Sequence, residues 1–295
     1  MRISRVAILP SLCTLGNALC GFAAMVYTWK ALVDSIDDVA LPLSPPDVKW
    51  AGYLVLLGMV FDALDGRLAR IGRATSDFGG QLDSLADAIT FGVAPAFLMN
   101  RVVVESLRRT LADRLWGMVG VTWVCAAVYL ACALIRLARF NVENIHEEEA
   151  HKSFRGLPSP GAAGALVSLV IVVAACWQNV ARQQLGVILL WLLPVAAVVL
   201  GILMVSNVRY SHILNYALRG RRPISYLVQM VFGAALAILI IRFVGHEIGL
   251  VLGFGGYAIS GPTVGVLRRL RRRGRAAEAE RPVVEPAKDA SSNPP

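Results

Sequence analysis

The chain alternates between long apolar runs and short polar segments along most of its length. Most runs are about 20 residues long, the length that a helix needs to cross roughly 30 Å of hydrocarbon. The pattern therefore predicts an all-α protein, a polytopic transmembrane helical bundle. The predicted spans are 9–29, 50–70, 77–99, 115–138, 160–177, 185–205, 225–243 and 248–267.

The composition agrees with a membrane protein. Of the 295 residues, 56% are hydrophobic and only 17% are charged, whereas a soluble globular chain carries roughly 25% charged residues. The apolar content excludes a disordered chain, and five cysteines are too few for a secreted disulfide scaffold. We interpret the cysteines as packing residues, because they lie in or beside apolar runs and form no CxxC pattern.

The distribution of arginine indicates the orientation. Arginines gather in the loops that face the cytoplasm if both termini are cytoplasmic, and only the loop 100–114 disagrees. The arginine cluster in 268–275 follows the last span, so we interpret it as a segment that lies against lipid headgroups rather than as a nucleic-acid arm. Residues 276–295 lack apolar periodicity and are predicted to be a disordered tail.

Two adjacent predicted spans carry four aspartates at helical spacing. Asp62 and Asp65 are three residues apart and share one helix face. Asp83 and Asp87 are four residues apart and share a face of the next helix. The short link 71–76 makes the two helices antiparallel neighbours. Along each helix, the distance from the link to the farther aspartate, Asp62 or Asp87, is ~16 Å, so the two pairs lie at similar depths. The four carboxylates are therefore expected to converge near the inner leaflet.

Carboxylates at this depth need compensation. Each unpaired charge costs several kcal/mol in a low dielectric, and like charges at close range resist joint ionisation. Two divalent cations, Mg²⁺ or Mn²⁺, remove both difficulties, and such a pair also stabilises the entering and leaving oxygens in phosphoryl chemistry. The small residues Gly66, Ala69, Gly79 and Gly80 leave space for a ligand, and Arg70 offers a bidentate phosphate contact.

Other interpretations of this region remain open from the residues alone. In one interpretation, the aspartates form structural ion pairs with Arg67, Arg70 and Arg73. In another, they relay protons or cations in a transporter. The small residues serve close helix packing, a role compatible with ligand space. A catalytically silent membrane scaffold is a further alternative.

Eight residues of this region form one spaced pattern. They are Asp62, Asp65, Gly66, Ala69, Arg70, Gly79, Asp83 and Asp87. The pattern resembles the full signature of the CDP-alcohol phosphatidyltransferase family, in every fixed position and in both spacings. The resemblance implies two bound divalent cations and a general base at the last aspartate.

Further segments resemble the membrane-embedded phosphatidylserine synthases of that family. They are 8–17, 82–87, 91–95, 136–141, 154–160 and 203–206. The resemblance covers roughly residues 5–210, so we expect a six-helix catalytic core in 1–210. Two additional transmembrane helices are expected in 211–267, followed by a basic and then disordered cytoplasmic tail in 268–295.

The resemblance also implies residue roles around the metals. Asp62 and Asp83 would bridge both cations, Asp65 would complete one site, and Asp87 would complete the other and act as the catalytic base. The headgroup of CDP-diacylglycerol would be bound by Gly66, Ala69, Arg70, Ser76 and Gly79.

The predicted acceptor site lies on later segments. Arg136 and Arg139 would bind the carboxylate of L-serine, or would instead anchor their helix at the headgroups. Asn141 and Ser159 would contact the amino acid, or would merely cap helices.

The implied reaction transfers the phosphatidyl group of CDP-diacylglycerol to the hydroxyl of L-serine and releases CMP. Glycerol 3-phosphate or an inositol phosphate stays open as another acceptor. The expected partners are these substrates and membrane lipids, with no nucleic acid, and we expect a homodimer. The enzyme would be an integral multi-pass membrane protein with its active site and both termini on the cytoplasmic side.

Overall fold

The computed structural model describes residues 5–35, 43–71, 77–111, 116–146, 156–208, 210 and 245–279. Within these ranges all regular structure is helical, which confirms the predicted all-α class. The α-helices are α1 (Arg5–Val33), α2 (Pro45–Ile71), α3 (Asp77–Asp87), α4 (Ala94–Leu111), α5 (Trp116–His146), α6 (Ser159–Trp177), α7 (Gln183–Val205) and α8 (His246–Ala279). A π-helical turn, Ala88–Val93, joins α3 to α4, and a 3-10 turn, Val180–Arg182, precedes α7.

Seven of the predicted spans correspond to these helices, and the predicted span 225–243 lies outside the described residues. The third predicted span, 77–99, continues as a helical rod to Leu111. α8 continues to Ala279, so residues 276–279, which we expected to be disordered, are helical instead. Residues 276–279 are helical because they are alanine and glutamate, which are strong helix formers even without an apolar face.

Among the described residues, five helical segments are long and apolar enough to cross a membrane. They are Pro10–Val33, Phe78–Arg108, Gly117–Val142, Ser159–Trp177 and Gln183–Val205. α2, whose second half carries two of the motif aspartates, is not one of the five. The protein is therefore an integral, multi-pass helical membrane protein, as its pattern predicts.

One face of α1 shows how the bundle meets lipid. Its large exposed side chains recur every three or four residues, the spacing of one helix face. They are Leu12, Leu15, Leu19, Phe22, Val26 and Trp29. Such an apolar stripe is a liability in water and suits a hydrocarbon environment.

α6 lies at the centre of the bundle. Fifteen of its 19 residues are buried, and it packs against α2, α4, α7 and α8. Its first half is rich in glycine and alanine, small residues that let membrane helices approach closely. On the α2 side, a Cβ atom at Gly52 would lie 2.7 Å from Ile171 Cγ1, so that contact also depends on glycine.

The π-helical turn directly after Asp87 is explained by Pro95. A proline has no N–H to donate to the carbonyl four residues earlier, and its ring crowds that carbonyl in a regular α-helix. The carbonyl concerned belongs to Phe91, and it accepts a hydrogen bond of 2.9 Å from the buried hydroxyl of Tyr129 on α5. The wider turn relieves the crowding, and Tyr129 supplies the donor that the helix lacks.

We expect Tyr129→Phe to lower the free energy of unfolding by about 1–3 kcal/mol, because it leaves a buried carbonyl without a donor. Thermal unfolding of the purified protein in detergent measures the effect. Tyr27→Phe, at a half-buried tyrosine of α1, is the matched control. An unchanged transition temperature for Tyr129→Phe would show that the hydroxyl does not support the π turn.

Candidate active site

Three aspartates from two helices converge at one point. α2 presents Asp62, and α3 presents Asp83 and Asp87 one helical turn apart. One carboxylate oxygen of each residue lies within 4.8 Å of the other two. The three side chains are half-buried, so they form an acidic pocket that is still reached from outside the bundle.

Asp65 is placed differently from the other motif aspartates. It is 5% exposed, and it is not a member of the group of three. Its carboxylate lies beside the hydroxyl of Thr14 on α1 and the backbone N–H of Gly66. Asp65 still acts electrostatically on Asp62 and Asp83, so it belongs to the same acidic region.

The acidic pocket fits a divalent cation. Among the residues whose side chains the structure describes, none forms an ion pair with the four aspartates. In the same part of the chain, buried Asp65 Oδ2 and Asp83 Oδ1 have no hydrogen-bond partner. Converging carboxylate oxygens without cationic partners are the ligands that Mg²⁺ and Mn²⁺ prefer. Of the three proposed ion-pair partners, Arg67 makes no such pair, and the side chains of Arg70 and Arg73 lie outside the described residues.

Asn17 on α1 holds the last aspartate of the motif. It is fully buried, and its Nδ2 donates a hydrogen bond of 3.0 Å to Asp87 Oδ1. The backbone carbonyl of Asn17 accepts a bond of 2.8 Å from Thr90 Oγ1 on the π turn. The sequence pattern alone did not reveal this role, although a buried amide within an apolar span is itself a signal of function.

Two glycines allow this contact. A Cβ atom at Gly58 would lie 2.6 Å from Thr90 Cγ2 and 2.9 Å from Asn17 Oδ1. A Cβ atom at Gly21 would lie 2.6 Å from Thr90 Oγ1. The two glycines therefore let α1 and α2 pack directly against Thr90 of the π turn. This close packing fixes Asn17 beside Asp87.

Glycines at the mouth of the pocket face open space. A Cβ atom at Gly66 or at Gly80 would meet no described atom within 4 Å, and both residues are exposed. Gly79 is half-buried. Of the other predicted donor-binding residues, Ser76 and the side chains of Ala69 and Arg70 lie outside the described residues.

The predicted acceptor residues form contacts at the same end of the bundle. Arg136 Nη1 donates to Ser159 Oγ at 3.3 Å. Asn141 Nδ2 donates to Ser84 Oγ, next to the motif residue Asp83, at 2.9 Å. Arg139 is half-buried, and its Nη2 donates to Asn207 Oδ1, just after α7, at 3.3 Å. Neither Ser84 nor Asn207 was singled out from the sequence. Each meets its hydrogen-bond partner on α5 only because the helices pack together in the folded chain.

The register of α5 sets the depth of Arg136. Asn141 bonds to Ser84, and Ala133 faces Gly92, whose Cβ atom would lie 3.6 Å from Ala133 Cβ. α5 therefore runs antiparallel to α3 and the π turn. Arg136, between these two contacts, lies level with the stretch that contains the last aspartate of the motif.

The loop before α6 places Ser159 through a required glycine. Gly156 has φ +88°, and a Cβ atom there would overlap the Met204 carbonyl oxygen of α7. The Gly156 N–H donates to the Val208 carbonyl at 2.8 Å, and the Leu157 N–H donates to the Leu203 carbonyl at 3.0 Å. This pairing with the end of α7 fixes the start of α6, so that the buried Ser159 meets α5.

Comparison with known proteins identifies the family. Residues 7–203 match the CDP-alcohol phosphatidyltransferases, and the chain belongs to this family. α8 lies entirely beyond the matched residues.

Several curated relatives carry the name CDP-diacylglycerol–serine O-phosphatidyltransferase. The relative from Methanocaldococcus jannaschii is 34% identical over 157 residues, 53% of this chain and 61% of that protein. The relative from Helicobacter pylori strain J99 is 31% identical over 216 residues, 72% of this chain and 75% of that protein. The relative from Bacillus subtilis is 30% identical over 209 residues, 71% of this chain and 93% of that protein. The chain thus spans less than two thirds of the Methanocaldococcus protein, and no solved structure matches it significantly.

We expect Asn17→Ala to lower kcat for CMP release about 10- to 100-fold, the usual range for loss of a group that orients a functional carboxylate. The KM for the CDP-linked lipid should change little, because Asn17 is buried behind Asp87. Steady-state kinetics on the purified protein measure both. Thr28→Ala is the matched control, since Thr28 is also buried in α1 and its hydroxyl donates to the Ala24 carbonyl of the same helix. Wild-type kcat in a folded Asn17→Ala variant would refute the positioning role.

Proposed function

We propose that this protein transfers the phosphatidyl group of CDP-diacylglycerol to the hydroxyl of L-serine, giving phosphatidylserine and CMP. The observation that carries the chemistry is the convergence of Asp62, Asp83 and Asp87 beside the open backbone at Gly66. Family membership supports the CDP-linked donor. The names of the relatives support serine as the acceptor.

The acidic pocket would hold two Mg²⁺ or Mn²⁺ ions. Asp62 and Asp83 would be shared by both ions, Asp65 would complete one site and Asp87 the other. When bound, the ions would neutralise the diphosphate of the donor and the charge on the departing CMP. The unpaired oxygens of Asp65 and Asp83 support this assignment.

The protein's own residues would bind the donor at the mouth of the pocket. Gly66 and Gly79 let the diphosphate approach the backbone, and Ala69 adds no bulk. Arg70 and Ser76 would contact its phosphate oxygens. The acyl chains would remain in the bilayer between helices.

Asp87 would act as the general base. The serine Oγ forms a bond to the phosphorus that carries diacylglycerol, the bond from that phosphorus to the CMP oxygen breaks, and the hydroxyl proton passes to the Asp87 carboxylate. Asn17 binds one oxygen of that carboxylate and would leave the other directed at the acceptor. A direct displacement needs no covalent enzyme intermediate.

The acceptor would lie between the pocket and α5. Arg136 and Arg139 would attract the serine carboxylate, and Ser159 and Asn141 would supply neutral hydrogen-bonding groups. The register that places Arg136 level with the end of the motif supports this arrangement.

Serine and cytidine would enter from the cytoplasm, where we also place both termini. The homodimer and the boundaries 1–210, 211–267 and 268–295 stay predictions.

The acceptor is tested by supplying CDP-diacylglycerol, Mn²⁺ or Mg²⁺, and one alcohol at a time. We expect CMP release with L-serine and none with glycerol 3-phosphate or inositol phosphate, since the relatives carry the name of a serine transferase. Two arginines would also suit a phosphate, so their charge does not select between these acceptors. Release with a phosphorylated alcohol and none with serine would overturn the acceptor while leaving the family intact. Ion flux without CMP release would favour a transporter.

The same assay tests whether Arg139 binds the acceptor or the lipid phosphate. Arg139→Ala should raise the KM for serine more than the KM for CDP-diacylglycerol. Arg101→Ala is the control, because Arg101 pairs with Glu105 at 3.8 Å on α4, beyond the π turn. An equal rise in both constants would place Arg139 with the lipid phosphate instead.

A further inference from the structure

The aspartate helix α3 carries a hydroxyl group beside its carboxylates, that of Ser84. Ser84 follows Asp83 directly and precedes Asp87 by three residues. At about 3.6 residues per turn, it lies about 60° around the helix from Asp87, and the two Cβ atoms are about 5–6 Å apart. Ser84 is half-buried. A small polar molecule that reaches the acidic pocket would therefore also reach the flank of α3 where this hydroxyl lies.

The Ser84 hydroxyl joins α3 to α5 through hydrogen bonds. It accepts a bond of 2.9 Å from Asn141 Nδ2, and its oxygen lies 3.0 Å from the Gly80 carbonyl oxygen and 3.1 Å from Asn141 Oδ1. A hydroxyl has one hydrogen to donate, whereas an amide oxygen has two lone pairs. The contact with Ser84 therefore fixes the Asn141 amide and leaves its oxygen at least one lone pair for another donor.

An acceptor with an ammonium group needs an oxygen that accepts its hydrogens. The guanidinium groups of Arg136 and Arg139 carry only donors. These arginines bond toward Ser159 of α6 and toward Asn207 after α7, whereas Asn141 bonds toward α3. The arginines would repel an ammonium group, so that group would lie on the side of α5 where the Asn141 oxygen is found.

We propose that Ser84 is a positioning residue of the acceptor site, which holds the Asn141 amide so that its oxygen accepts a hydrogen bond from the ammonium group of the acceptor. The proposal rests on the proposed function, which places the acceptor between the pocket and α5. The helix α3 would then serve both substrates, the donor through its aspartates and the acceptor through Ser84. Ser84 itself touches neither substrate in this arrangement, so its loss should not affect the binding of the CDP-linked lipid.

The test compares two small molecules that differ in the ammonium group. L-serine carries this group, and 3-hydroxypropionate keeps the hydroxyl and the carboxylate without it. In the full-length protein, Ser84→Ala should raise the KM for serine about tenfold, the lower end of the effect of a hydrogen bond to a charged group. The kcat, the KM for CDP-diacylglycerol and the inhibition constant of 3-hydroxypropionate against serine should stay unchanged.

Further variants separate positioning from a merely structural effect. Ser84→Thr keeps the hydroxyl and should retain most of the serine affinity. Asn141→Ala should raise the serine KM at least as much as Ser84→Ala, and the double variant should add nothing further, because Ser84 acts through Asn141. Ser168→Ala is the matched control, since the Ser168 hydroxyl also donates to a carbonyl of its own helix, that of Ala165, and the control should leave every constant unchanged.

A serine KM that Ser84→Ala leaves unchanged, or an equal rise in the KM for serine and for CDP-diacylglycerol, would overturn this inference alone. Additive effects of Ser84→Ala and Asn141→Ala would also overturn it, because they would show that the two side chains act independently. In each of these results the wild type still uses serine. A wild type that releases CMP only with another alcohol would instead overturn the proposed function, and this inference with it.

Discussion

The electrostatic cost of gathering several carboxylates inside a membrane bundle governs the rest of this structure. Asp62, Asp83 and Asp87 converge within 4.8 Å, and Asp65 is buried beside them. Such a group is tolerable if cations compensate it or if some of the carboxyls stay protonated. No described side chain supplies that charge, and this is the basis on which we propose that divalent cations bind here.

The surrounding helices keep the carboxylates in place by close packing rather than by countercharge. Glycines let α1 and α2 meet the π turn, and Asn17 reaches Asp87 because of that approach. Pro95 widens the helix directly after the motif, and Tyr129 satisfies the carbonyl that this exposes. The same α5 helix carries Arg136 to the level of the motif. In the function that we propose, one helix register would thereby link donor chemistry to acceptor recognition.

Much of this could be predicted from local pattern. Runs of apolar residues located the described helices, and the four-residue spacing placed Asp83 and Asp87 on one surface of α3, where Asp62 of α2 meets them. The separate position of Asp65 could not be predicted, since it depends on how far α2 is rotated toward Thr14 on α1. The π turn, the Asn17 bond and the docking of α8 depend likewise on contacts between segments distant in sequence, which periodicity within one helix does not encode.

Metal occupancy tests the central claim most directly. Electron paramagnetic resonance of purified protein titrated with Mn²⁺ counts the bound ions and reports whether two of them are close enough to couple. We predict two coupled Mn²⁺ ions per chain in the wild type and in Asp34→Asn, a variant of an exposed aspartate beyond the far end of α1. We predict loss of the coupled pair in Asp83→Asn at retained fold. No Mn²⁺ binding by the wild type, or an identical coupled pair in Asp83→Asn, would contradict the account.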